Sequence, residues 1–71
     1  MTRKPPITNR VRQLREQHGA MTQAELGDAI GVTRQTVIAI EQNRYSPSLE
    51  SAFRIARQFG VGLEDVFSWE E

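Results

Sequence analysis

The stretch from Thr22 to Glu41, TQAELGDAIGVTRQTVIAIE, leaves this chain little choice of fold. Thr22 has a hydroxyl suited to a helix N-cap, and Leu26, Ala29 and Ile30 follow it at helical spacing. Gly31 interrupts the pattern. Thr33 can cap a second helix, in which Val37 and Ile40 lie three residues apart. Gly27 is small where two crossing helices need close backbone approach. Gly31 can take the positive φ of a tight turn at little steric cost, and Val37 points back into the angle between the helices. This spacing favours a helix-turn-helix over an ordinary helical hairpin.

The rest of the chain supplies short helices around this unit. Seventy-one residues allow one domain, near the lower limit for a self-sufficient core, and without cysteine no disulfide or thiolate site can staple it. A hydrophobic content of 38% with 25% charged residues excludes the disordered class. The longest apolar run is too short for a membrane span, and the basic start MTRKPP lacks the apolar segment of a secretory signal, so the expected location is the cytoplasm. Residues 1–6 read as a loose arm. Asn9 can cap a first helix over 9–18, with Val11 and Leu14 on its core face and Gly19 ending it. The two helices of the central unit cover 22–30 and 33–42. Ser48 can cap a fourth over 48–59, where Leu49, Ala52, Phe53, Ala56 and Phe59 follow the i, i+3, i+4, i+7 pattern as core and Ile55 widens the stripe. Residues 63–67 suit a last short helix. The alternation in the tail, 67–71, hints at a strand. Pro5 and Pro6 cannot donate to a ladder.

The candidate functional surface is one face of the second helix of the unit. Val37, Ile40 and Glu41 lie with the core, whereas Arg34, Gln35, Ile38, Ala39 and Gln42 project the other way. Arg34 and Gln35 occupy the first turn, the part of a recognition helix that meets base edges. An arginine fork matches guanine O6 and N7, a glutamine amide can pair with adenine N6 and N7, and Ile38 suits a thymine methyl. The net charge is zero, yet residues 1–44 carry +3 and residues 45–71 carry −3, so the positive half holds the helix-turn-helix. The single His18 reads as a helix-end residue rather than a ligand, and no catalytic constellation, phosphate-cradling glycine loop or metal set is legible. The sequence predicts neither an enzyme nor a cofactor.

With LREQHG (14–19), TQAELGDAIGV (22–32), TRQTVIAIEQN (33–43), PSLESAFRIARQFGV (47–61) and LEDVF (63–67), the chain resembles the phage-repressor (Cro/C1-type, Xre) helix-turn-helix family over residues 9–67. The tail LEDxFxW also resembles that of a short stand-alone subgroup. The resemblance implies an all-α, five-helix DNA-binding domain that regulates transcription as a homodimer, with a short two-stranded sheet pairing the tail with Ile7 and Thr8. By position it implies that Gln23 meets a phosphate, that Arg34, Gln35, Ile38 and Ala39 face bases, and that Thr33, Asn43 and Arg44 hold the backbone of double-stranded DNA. It also implies a partly buried ion pair between Arg15 and Glu41. Gly27 stands where alanine is usual, Ile38 and Ala39 where many relatives are polar, and the GAM loop (19–21) is one residue longer than the common form. Val66, Phe67 and Trp69 lie where a small domain would struggle to bury them all, which makes them the expected dimer interface. An antitoxin-like protein-interaction module is the alternative function. Salt-dependent binding to random duplex DNA separates the two.

Overall fold

The computed structural model describes residues 6–70, so the arm residues 1–5 and the final Glu71 lie outside it. Five helices follow one another: α1 (Val11–Gln17), α2 (Gln23–Ile30), α3 (Arg34–Glu41), α4 (Leu49–Gln58) and α5 (Leu63–Val66). Two strands, β1 (Ile7–Asn9) and β2 (Phe67–Trp69), flank them in sequence and pair antiparallel, with Thr8 opposite Ser68. The Arg10 amide continues the ladder to the Val66 carbonyl at 2.8 Å, and the Pro6 carbonyl accepts from Glu70 at its other end. Because Pro6 takes part only through its carbonyl, a proline is tolerated there.

Local chemistry sets most helix ends. In α2 the Thr22 side chain accepts from the Glu25 amide while the Glu25 carboxylate accepts from the Thr22 amide, a reciprocal capping box. Thr33 and Ser48 cap α3 and α4 through their side chains. Gly31 closes α2 in the left-handed region at φ 79°. Asn43, also left-handed at φ 59°, closes α3 with Asn43 N–H bonding to Ile40 O and Arg44 N–H to Ala39 O. This pair of bonds is the Schellman pattern, which satisfies carbonyls the helix would otherwise orphan.

The first helix is shorter than the sequence suggests. Asn9 is the last residue of β1, not the cap of a helix starting there. Its Oδ1 still accepts from the Val11 amide at 3.1 Å, and its Nδ2 donates to Ile40 O at 2.8 Å, tying the sheet to the end of α3. The extra length of the GAM loop is absorbed by consecutive left-handed residues, Gly19 and Ala20.

The core joins Val11 and Leu14 of α1, Leu26 and Ile30 of α2, Val37 and Ile40 of α3, Ile55 and Ala56 of α4, Phe59, and Val66 of α5. Two expected members of the α4 stripe do not belong to it: Leu49 is 69% exposed and Phe53 49%. The helical period is right but its phase is shifted. Ala52, Ile55, Ala56 and Phe59 form a complete stripe by themselves, and Leu49 and Phe53 lie on the adjoining one, which no element among the described residues covers.

Gly27 is where the helix-turn-helix angle is set. A Cβ built there would stand 2.8 Å from the Val32 carbonyl oxygen and 3.3 Å from the Thr33 carbonyl carbon, both backbone atoms of the turn. Helix propensity favours alanine over glycine by up to about 1 kcal/mol, but the overpacking costs about 1–3 kcal/mol. Gly27→Ala is therefore expected to destabilise the domain on balance, by about 1–2 kcal/mol. Chemical denaturation would check this, and a variant as stable as wild type would show that the turn yields freely.

Candidate nucleic-acid interface

The exposed first turn of α3 begins at Thr33, whose hydroxyl accepts from the Thr36 amide at 3.2 Å and lies 3.0 Å from the Thr36 hydroxyl. That engagement fixes where the helix starts, and hence where Arg34 and Gln35 stand. Both are exposed, and neither forms a side-chain hydrogen bond or ion pair among the described residues. Ile38 and Ala39 sit one turn on and are half-buried rather than fully outward, so only part of each is open to a partner. Asn43 is half-buried in the turn that ends α3, and Arg44 beside it is exposed.

The scaffold beneath this surface is an ion pair. Arg15 Nε donates to Glu41 Oε2 at 2.7 Å and Arg15 Nη2 donates to Glu41 Oε1 at 3.1 Å, a two-pronged pairing that joins α1 to the last residue of α3. Arg15 Nη1 also donates to Met21 O at 2.8 Å, so the same guanidinium holds the loop leading into α2. The side chains are only 13% and 6% exposed. The hydrogen bonds that Arg15 donates to Glu41 raise its pKa above the ordinary value. Desolvation opposes this, and the Coulombic attraction of Glu41 and Glu16 adds to it.

Gln23, the first residue of α2, donates its Nε2 to Glu41 Oε1 at 3.1 Å. No local pattern in the chain signals this contact, because the partners stand 18 positions apart and meet only when α2 packs against α3. An open depression of about 510 Å³ lies beside them, lined by Arg12, Arg34, Gln23, Thr22, Gln42 and neighbouring residues. Arg12, not singled out from the sequence, is exposed on its edge and pairs with Glu16 at 3.2 Å. Its i, i+4 spacing to Glu16 was the only available signal, and that pattern marks a solvated helix face as readily.

His18 closes α1. Its Nδ1 lies 2.9 Å from Leu14 O, and its ring stacks at a tilt on Phe59 with centroids 5.2 Å apart. It is a helix-end residue. No cluster of three or more possible metal-ligating side chains occurs among the described residues.

At the other end of the domain, Val66 is 1% exposed and part of the core, so the expected dimer interface loses one of its three residues. It is α5's one buried residue, facing inward under the sheet. Phe67 is half-buried and Trp69 is 64% exposed. Two adjoining apolar grooves of about 300 and 260 Å³ share Ile7, Leu63 and Phe67, and run from Pro47 and Leu49 to Trp69.

A model of the helix-turn-helix family matches residues 11–66, the span from α1 through α5. The chain belongs to that family of DNA-binding transcriptional regulators. This regulator is 48% identical over 65 residues to an uncharacterized HTH-type transcriptional regulator of Methanocaldococcus jannaschii, covering 92% of this chain and 97% of that one. It is 49% identical, with the same coverage, to the uncharacterized HTH-type transcriptional regulator YgzD of Bacillus subtilis. At 31% identity it also matches the cryptic phage CTXphi transcriptional repressor RstR of Vibrio cholerae, over 92% of this chain and 58% of the repressor. Among solved structures, the fold matches that of a candidate DNA-binding protein from Bacteroides fragilis with a TM-score of 0.77, covering 87% of this chain and 98% of that chain at 19% identity. Among the described residues, no helix is long and apolar enough to cross a membrane.

Proposed function

We propose that this regulator is a repressor that binds double-stranded DNA sequence-specifically, in the cytoplasm, as a homodimer on a palindromic operator. The observation that carries the reading is the free first turn of α3: Arg34 and Gln35 stand exposed on a helix start fixed by the Thr33 cap. In this reading Arg34, Gln35, Ile38 and Ala39 face base edges. Thr33, Asn43, Arg44 and Gln23 meet the phosphate backbone, where contacts set position and not sequence. The likeness to a phage repressor supports the repressor role. Selection of bound sequences from a random duplex pool tests binding, symmetry and half-site together. Failure to enrich any sequence, with no salt-dependent binding to random duplex, would favour the protein-interaction alternative.

The homodimer is supported by the apolar surface at the chain ends. Trp69, Phe67 and Leu49 border the two adjoining grooves in a domain with a small core, and a two-fold partner would present the same patch to them. The recognition helices of such a dimer would reach half-sites about 34 Å apart. Trp69→Glu is expected to shift the protein toward monomer. Sedimentation at micromolar concentration checks both points: a wild-type species of 8.1 kDa alone would overturn the dimer.

A further inference from the structure

We infer that Glu41 is a positioning residue for the phosphate contact of Gln23, an inference that rests on the assignment of Gln23 to the DNA backbone. The Glu41 carboxylate gathers donors from two other parts of the fold. Its Oε2 accepts Arg15 Nε, and its Oε1 accepts both Arg15 Nη2 and Gln23 Nε2. A carboxylate facing a guanidinium only accepts, so the chemistry fixes which end of the Gln23 amide meets it: the NH2 group. One N–H of Nε2 is committed to Glu41, and the planar amide leaves the other pointing in a set direction. Gln23 is half-buried at the start of α2 and lines the open depression that Arg12 and Arg34 also line. Glu16, the other carboxylate at that depression, is paired with Arg12. The phosphate donor is thus oriented before DNA arrives, and binding loses less side-chain freedom than a loose glutamine would.

Glu41→Gln keeps the shape of the side chain but leaves one carboxamide oxygen where two carboxylate oxygens accept from three N–H groups. Either orientation sets its NH2 group against an Arg15 N–H. Arg15 and Gln23 then compete for a single acceptor, and the Gln23 amide is no longer held with its NH2 group toward position 41.

The test is affinity for a short random-sequence duplex, measured at a temperature where circular dichroism shows each variant folded. Gln23→Ala is expected to weaken binding about tenfold, the scale of one hydrogen bond to a charged oxygen. Its salt slope should stay unchanged, because a neutral donor releases no counterion. Glu41→Gln should weaken binding by the same factor, and adding Gln23→Ala to it should cost nothing further. The paired variant Arg15→Met/Glu41→Leu replaces the ion pair with apolar side chains, a change that commonly preserves folding. It too should be insensitive to Gln23→Ala, and it decides alone should Glu41→Gln not fold. If Gln23→Ala weakens binding but its loss multiplies with that of either position-41 variant, or those variants bind as wild type, the positioning role is overturned while the phosphate contact stands. If Gln23→Ala binds as wild type, the phosphate contact itself fails and the positioning role with it.

Discussion

Glu41→Gln is expected to lower the unfolding free energy by about 3–5 kcal/mol, the cost of removing one partner from a buried, hydrogen-bonded ion pair. The magnitude follows from burial. An exposed pair is worth less than about 1 kcal/mol, and the exposed Arg12–Glu16 and Arg54–Glu50 pairs on α1 and α4 belong to that class. The Arg15 and Glu41 side chains are 13% and 6% exposed, so little of either is open to water that could replace the lost partner. A domain this small shifts its melting temperature by roughly 4–8 °C per kcal/mol, so the drop should exceed about 10 °C. Thermal melts check it, and a variant melting within a degree or two of wild type would refute it. The pairing should not introduce a pH dependence through Arg15 near neutrality. Its folded pKa is raised, so the stability it contributes is fully present below the ordinary arginine value and is lost only at still higher pH.

The second large effect concerns sequence choice. Gln35→Ala is expected to weaken binding to the preferred operator by about 1–3 kcal/mol, up to about a hundredfold, while random-duplex affinity stays nearly intact. Arg44→Ala should weaken both duplexes alike and reduce the salt slope by about one. The reason is reach. Gln35 stands in the exposed first turn of α3, which in the proposed binding mode enters the groove, whereas Arg44 stands just past the Asn43 turn at the helix end, where that mode places phosphates. In the proposed binding mode Arg34 can reach both a guanine and a neighbouring phosphate, so its removal should mix the two signatures. Equal losses on specific and random duplexes for Gln35→Ala and Arg44→Ala would overturn this division.

What the sequence determined by itself is local. Thr22, Thr33 and Ser48 announce helix starts because a hydroxyl there satisfies amides within three residues, and all three are found doing so. Gly31 and Asn43 announce helix ends because the left-handed conformation disfavours most other side chains. The strand pairing of the tail was legible from its alternation together with the family resemblance, which placed it against Ile7 and Thr8; the strand runs one residue further, with Asn9 opposite Phe67.

Only the tertiary structure decided the rest. The period of α4 was legible, but two overlapping apolar stripes share that period, and packing against α2 and α5 selected 52, 55, 56 and 59 over 49 and 53. Val66 and Trp69 stand three residues apart in an apolar tail, yet one is sealed in the core and the other faces solvent, because the chain passes from α5 into β2 between them. Asn9 looked like a helix cap, but its amide reaches Ile40 at the far end of α3. Gln23 and Glu41 carry no mutual signal in the chain; they share a hydrogen bond because Arg15 draws α3 against the start of α2. Caps and turns are fixed by forces acting over a few residues, so they can be read from a string. Phase, burial and cross-helix hydrogen bonds depend on which surface arrives opposite, and that is settled only when the helices pack.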